Sequence, residues 1–268
     1  MSLLLAFFVF VFGSIVGSFL GVLVSRALSS ESAMVGRSRC DNCRHPIAWY
    51  DNIPILSYLV LSGKCRYCKK AISIQHLAIE LITGILFVWW YLVGFAFFRL
   101  TQHPLQYIQP LYWLVTGTLL LFIAFIDTKY YLIPDYAVAV SIFITLIYRF
   151  ILINVGIMNP ADFLLALLSG FGLASVFALI IIFTKGRGMG WGDVKLALAI
   201  GLIVGWPRIA FAAFAAFVFG AIVGLLLILV GKKKFGQTIP FGPFLILGTF
   251  CTLLVGNQIW GWYMKFLF

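Results

Sequence analysis

Charge is what this chain has least of. Only 10% of its 268 residues are charged, and only eight are acidic. An ordinary soluble domain carries about 25% charged and roughly 45–50% apolar residues. Here 63% are hydrophobic, and the mean hydropathy is +1.09. The shortage of charge excludes a water-soluble globule, and the surplus of apolar residues excludes intrinsic disorder. The length is therefore read as membrane spans of about 20 residues each. The first stretch, 2–25, contains no charge at all. A secretory signal would begin with a basic region and have a shorter apolar core, so this stretch reads as a transmembrane helix.

The charge that is present is one-sided, with 19 basic residues against eight acids and a net charge of +11. Such an excess could serve phosphate backbones, so its distribution has to decide. Seven further apolar stretches predict spans over 74–98, 110–126, 136–153, 163–184, 190–206, 209–229 and 244–262. With the N-terminus outside, 15 of the 19 basic residues fall on one side. They include Arg26, Arg37, Arg39, Arg44, Lys64, Arg66, Lys69 and Lys70, then Lys129, Lys185, Arg187, Lys195 and Lys232 to Lys234. Arg99, Arg149, Arg208 and Lys265 fall on the other, and Arg149 is expected to snorkel from its span. The positive-inside rule places the fifteen in the cytoplasm. The basic excess then reports orientation, and nucleic acid is not an expected partner. The expected fold is an all-α polytopic membrane protein of about eight helices: residues 1–25 as the first, 26–75 as a cytoplasmic loop, and 76–268 as a seven-helix core. Gly13, Gly17 and Gly21 recur every fourth residue of the first helix, which suits close helix packing.

Four of the five cysteines lie in the loop: Cys40, Cys43, Cys65 and Cys68, as two C-x2-C pairs 21 residues apart. Two such knuckles offer four thiolates, a shell suited to structural Zn²⁺. The basic neighbours Arg39, Arg44, Lys64, Arg66, Lys69 and Lys70 favour thiolates. Disulfides do not fit a cytoplasmic loop; a redox C-x2-C pair is the other reading, and two paired knuckles favour metal over it. A loop this small needs the metal for its folding energy. Cys251, inside the last span, reads as a small apolar residue.

With only eight acids, each can be sorted. Glu31, Asp41 and Asp51 lie in the loop, where solvation suffices. Asp162 follows Asn159-Pro160, a helix start. Asp135 follows Ile133-Pro134 and fits either a cap or a functional role. Asp127 and Asp193 differ. Asp127 sits at the cytoplasmic end of its span, where an acid opposes the helix dipole. Asp193 follows a glycine-rich run and falls inside the sixth span if that span is to reach about 17 residues. Ionisable groups at such depth are costly and usually functional. Two carboxylates brought together share one proton, so one can activate water while the other donates to a carbonyl. That is aspartyl peptidase chemistry. Two separate carboxylates serving ion transport, or a non-enzymatic scaffold recruiting partners through the knuckles, remain open on the residues alone.

Along nearly its whole length the sequence resembles the bacterial type IV prepilin peptidases, the prepilin leader peptidase/N-methyltransferase family of G-x-G-D aspartic peptidases. The resemblance rests on an ordered set of motifs. These are Gly17-Ser18-Phe19-Leu20, then Arg37-Ser38-Arg39-Cys40-Asp41-Asn42-Cys43, and Trp49-Tyr50-Asp51-Asn52-Ile53-Pro54 with Ser57-Tyr58. Gly63-Lys64-Cys65-Arg66, Cys68 and Glu80 follow. Ile126-Asp127 with Ile133-Pro134-Asp135, Gly190-Trp191-Gly192-Asp193 with Lys195-Leu196, and Pro240-Phe241-Gly242-Pro243 complete it. It implies that Asp127 and Asp193 are the catalytic pair, with Gly190, Gly192 and Lys195 in the catalytic loop. It implies prepilin or pseudopilin substrates, cut at the inner-membrane boundary of a bacterium. It also implies S-adenosylmethionine as donor for methylation of the new N-terminus, mapped to the N-terminal half. Two departures fall in that half: Gly21 stands where the family usually has Asn, and His76-Leu77 where it commonly has Tyr-Pro.

Overall fold

The computed structural model describes residues 3–27, 38–100, 103–186, 188–234 and 236–267. Glu31, Arg37 and Arg187, each named above from the sequence, lie outside the described residues. Among the described residues the chain is almost wholly helical, with only two isolated β-bridges. Eight helices correspond to the eight expected spans: α1 (Leu3–Arg26), α2 (Ile74–Phe97), α3 (Leu105–Tyr130), α4 (Asp135–Asn154), α5 (Pro160–Phe183), α6 (Trp191–Val204), α7 (Arg208–Leu229) and α8 (Gly242–Leu267). Six of them, α1 to α5 and α7, are long and apolar enough by themselves to cross a bilayer. The chain divides into two compact units, Met1–Thr118 and Leu119–Phe268.

In the first unit α1 is apolar all round, so hydrophobicity alone cannot choose its packing face. Small residues choose it. Gly13, Ser14, Gly17, Leu20, Gly21 and Val24 are buried, at the three- and four-residue spacing of one helical face. A Cβ on Gly13 would come within 2.7 Å of the Phe87 Cβ, and one on Gly17 within 2.9 Å of the Glu80 Cα. The glycines thus let α1 lie directly against α2. Ser73 caps α2, its hydroxyl accepting from the Gln75 N–H at 3.3 Å. Near its far end α2 widens into a π turn, Trp90–Gly94, and the Trp90 indole N–H donates to the Pro110 carbonyl at 2.9 Å. Helix α3 begins five residues before Pro110, the expected start, because Leu105 is fully buried and anchors an extra turn.

In the second unit α6 is the central helix. Leu196, Ala197, Ala199 and Ile200 have no exposed surface. A helix buried on all sides needs apolar or small residues all round. Its 14 residues rise about 21 Å, short of a hydrocarbon core of roughly 30 Å. The expected span over 190–206 is therefore too long at both ends. At its far end, Arg149 of α4 does not snorkel. It is buried, and its Nε donates to the Leu202 carbonyl at 2.6 Å while Nη2 donates to the Ile203 carbonyl at 3.4 Å. Those carbonyls belong to the last turn of α6, which has no helical partners for them. A cation there also complements the dipole. The start of α5 follows expectation, with the Asn159 side chain accepting from the Ala161 N–H at 3.0 Å ahead of Pro160.

Candidate functional site

Helix ends bring Asp127 and Asp193 to one place in the second unit. Asp193 is the third residue of α6, and its Oδ2 accepts from the Gly190 N–H at 3.1 Å. That is half of a capping box; Gly190 has no side chain to complete it. Asp193 therefore does have a structural reason to sit in a first turn, one that Gly190 as the cap residue does not betray in the sequence. Asp127 lies one turn before the end of α3, against its own dipole. Its Oδ2 accepts instead from the Gly242 N–H, at 3.0 Å, where α8 begins. Each carboxylate is thus held at a helix N-terminus, one its own and one a neighbour's, where the dipole favours anions.

Both carboxylates are buried, at 5% exposure for Asp127 and 7% for Asp193. They are close enough for the charge of Asp127 to act on Asp193. Among the described residues neither has a basic partner. Ile133 packs between the two supports. A Cβ on Gly192 would lie 3.0 Å from the Ile133 Cβ, and one on Gly242 would lie 3.4 Å from its Cδ1. Gly242 also faces Asp127 directly, since a Cβ there would come 2.6 Å from Oδ2. In the sequence Gly242 stands out only as part of a motif; its chemical part shows in the fold.

The other expected site residues divide. Gly190 supplies the amide for Asp193, and Gly192 admits Ile133. Lys195 forms an exposed ion pair with Asp135, Nζ to Oδ1 at 2.7 Å. Asp135 is the first residue of α4 and not its cap, which is Pro134. Exposed pairs of this kind contribute about 0–1 kcal/mol, so this one adds little to stability.

In the first unit the four loop cysteines come together. One sulfur from each of Cys40, Cys43, Cys65 and Cys68 lies within 4.8 Å of the others, and the Cys40 and Cys68 sulfurs are 3.9 Å apart. A tetrahedral metal with bonds of about 2.3 Å requires sulfurs about 3.8 Å apart. The cluster fits a metal ion. The two knuckles are near copies. Arg44 and Lys69, each just after a second cysteine, both have φ of +58°, and each returns its N–H to the first cysteine's carbonyl, at 2.9 and 3.0 Å. The backbone N–H groups of Cys68 and Tyr67 point at the Cys65 sulfur and hold its thiol down to about 7. The His45 and Tyr67 rings meet across the knuckles, tilted by 39° with centroids 3.7 Å apart.

Arg66 ties the second knuckle to the preceding turn, Trp49–Asn52. It donates Nε and Nη2 to the two Asp51 oxygens at 2.7 and 2.6 Å. The guanidinium holds the Asp51 carboxyl below its usual range. Between the knuckles and the α1–α2 pair lies a cavity of about 310 Å³. Glu80 and His76 line it, as does Gly21. The two departures from the family pattern meet there, because a Cβ on Gly21 would lie 3.5 Å from the His76 Nδ1.

Fold and sites together define a multi-pass membrane protein with a buried pair of aspartates and a loop of four cysteines that could hold a metal ion. Comparison with known proteins narrows this. Residues 11–93 match the bacterial peptidase A24 N-terminal domain, and 114–225 match the type IV leader peptidase family. Several relatives carry the name prepilin leader peptidase/N-methyltransferase. One from Aeromonas salmonicida is 31% identical, covering 96% of this chain and 93% of its own. One from Pseudomonas aeruginosa is 32% identical over 95% and 91%, and one from Bacillus subtilis is 31% identical over 96% of each. The chain belongs to the type IV leader peptidase family. No solved structure matches it significantly.

Proposed function

We propose that this protein removes the short basic leader from type IV prepilins or pseudopilins and then methylates the new N-terminus. The observation that carries the peptidase reading is the buried pair, Asp127 and Asp193, each held by one backbone amide and neither neutralised by a basic side chain. Two adjacent carboxylates share a proton. The ionised one takes a proton from a water as it attacks the scissile carbonyl, and the neutral one donates to the carbonyl oxygen. Collapse of the tetrahedral species returns a proton to the departing amine. The two amides keep both carboxylates fixed through the cycle, so little reorganisation is needed. Gly190, where a Cβ would meet nothing closer than 3.6 Å, leaves room beside Asp193 for an extended substrate backbone.

The cysteine loop holds Zn²⁺ through Cys40, Cys43, Cys65 and Cys68. All four positions come from protein, so the ion folds the loop and leaves no open position for catalysis. The 15 basic residues of one side support a cytoplasmic position for the loop and both aspartates at the inner membrane. A reporter fused after Lys234 should be cytoplasmic, and an external one would overturn that sidedness. S-adenosylmethionine supplies the methyl group, as the names of the relatives suggest. The test is purified protein in lipid with a prepilin, read by mass spectrometry. Loss of the leader, and a one-methyl gain only when the donor is added, are expected. An intact prepilin would refute the peptidase reading.

A further inference from the structure

The short helix Leu56–Val60, in the loop between α1 and α2, is turned inside out. Leu56, Leu59 and Val60 share one face, at the three- and four-residue spacing, and are 53%, 62% and 69% exposed. The polar positions face the protein instead. The Ser57 hydroxyl donates to the Tyr50 carbonyl at 3.1 Å. Tyr58 folds back over Gly63, where a Cβ would lie 3.0 Å from the phenol oxygen. Trp49, 80% exposed, stands on the turn that Ser57 ties to this helix. A helix in water buries its apolar side, and an apolar patch left on the surface marks a contact.

Hydrogen bonds fix the height of this helix against α2. At its start, the Ile55 N–H donates to the Glu80 carboxylate at 2.7 Å. Glu80 lies six residues after Ile74, the first of α2, or about 9 Å along the axis. At its end, the Gly63 carbonyl accepts from the Ile72 N–H at 2.7 Å, two residues before α2 begins. The helix therefore lies alongside the first turns of a membrane span. Reaching Glu80 takes a strained turn. Ile55 has φ +63° and ψ −53°, and the Leu56 N–H donates to the Pro54 carbonyl at 2.6 Å. This is a γ-turn of the rare positive-φ form. A β-branched residue takes that form only where the surroundings compel it.

We propose that this helix and Trp49 anchor the loop in the bilayer, with Leu56, Leu59 and Val60 in the lipid beside α2. The height of the helix chooses lipid as the occupant, since the face opens beside a span and not out in solution. Ile74, the first residue of that span, is exposed too. The rim carries the matching charge. Lys64 follows the helix, and Lys69 and Lys70 lie on the hairpin that the Lys64–Ala71 bridge closes; all three are exposed. Lysines at this level meet anionic headgroups, and a Trp ring suits the membrane interface. An apolar face in the acyl boundary with basic residues above it is the pattern of an interfacial helix. The anchor goes beyond the leader-cleavage reading and does not depend on it. It sets the height of the knuckles at the membrane surface.

The test uses the full chain in nanodiscs of phosphatidylethanolamine and phosphatidylglycerol, with melting temperature as the folding check. A photoreactive benzoylphenylalanine at position 59 should give a lipid adduct by mass spectrometry. The same group at Leu226, exposed on α7, is the positive control. The emission of Trp49, taken as the difference between wild type and Trp49→Phe, should be quenched by lipids brominated in their tails and spared by aqueous iodide. An adduct at position 226 with none at position 59 would overturn the anchor. So would a Trp49 emission quenched by iodide and not by brominated tails. A crosslink from position 59 to a second copy of the chain would replace lipid with a self-interface and overturn it as well.

Discussion

Gly242→Ala is the sharpest probe of how the aspartate pair is held. A Cβ at this position would lie 2.6 Å from the Asp127 Oδ2, closer than real carbon atoms approach, and 3.4 Å from the Ile133 Cδ1. The carboxylate cannot stay. Moving it breaks the 3.0 Å bond from the Gly242 N–H, the backbone amide that holds it. Hydrogen bonds to charged groups are worth about 1.5–3 kcal/mol. At about 1.4 kcal/mol per tenfold in rate, the turnover number for leader cleavage should fall about 10- to 150-fold. Substrate affinity should change less, because the broken hydrogen bond serves the reacting carboxylate and not the bound peptide. The assay is prepilin cleavage by purified enzyme in lipid, with melting temperature as a folding check. Gly172→Ala is the matched control, a glycine in α5 whose Cβ would meet nothing within 4 Å. It should cleave normally, and the helix should gain up to about 1 kcal/mol from Ala. A folded Gly242→Ala enzyme cleaving within about twofold of wild type would refute this reading of the amide's role.

Replacing Cys40 or Cys65 with Ser should lower zinc content well below one per chain and lower the melting temperature, both measurable by metal analysis and calorimetry. Gly17→Val should separate α1 from α2, because even a Cβ would come 2.9 Å from the Glu80 Cα; the measurement is the unfolding temperature in detergent. Arg149→Met should leave the Leu202 and Ile203 carbonyls without their donor, costing about 1–3 kcal/mol for each buried group left unsatisfied; the same unfolding measurement reads it. The Asp51 carboxyl is lowered from 3.8 by Arg66, so its contribution to the loop is present above that unfolded value and is lost as pH falls through the lower folded one. Arg66→Gln should therefore make the loop open at higher pH on acidification, as followed by limited proteolysis.

Much of this was legible in the sequence for plain physical reasons. Lack of charge over 20-residue stretches marks spans, because a bilayer admits little else. The two C-x2-C pairs marked a metal site, because thiolate spacing and ligand geometry are both local. The Gly13 and Gly17 stripe marked a packing face. Other features depended on residues distant in the chain. The partner of Asp127 is a backbone amide 115 residues away, and an amide has no side chain to betray it. Arg149 looked like a residue near a span end, yet the shortness of α6 turned it inward to the exposed carbonyls. Pro110 looked like a helix start, and the buried Leu105 overrode it. The strained turn at Ile55 has no composition signal, since Ile is among the last residues expected at positive φ.

The central claim is that Asp127 and Asp193 cut the leader together. The most direct measurement is the mass of a prepilin after incubation with wild type, Asp127→Asn and Asp193→Asn enzymes in lipid, each shown to be folded by its melting temperature. Asn keeps the shape and can still accept the Gly242 or Gly190 amide, but it cannot carry the charge or the shared proton. Leader loss with wild type and none with either variant is the predicted result. A leader removed by either folded variant at a rate near wild type would contradict it.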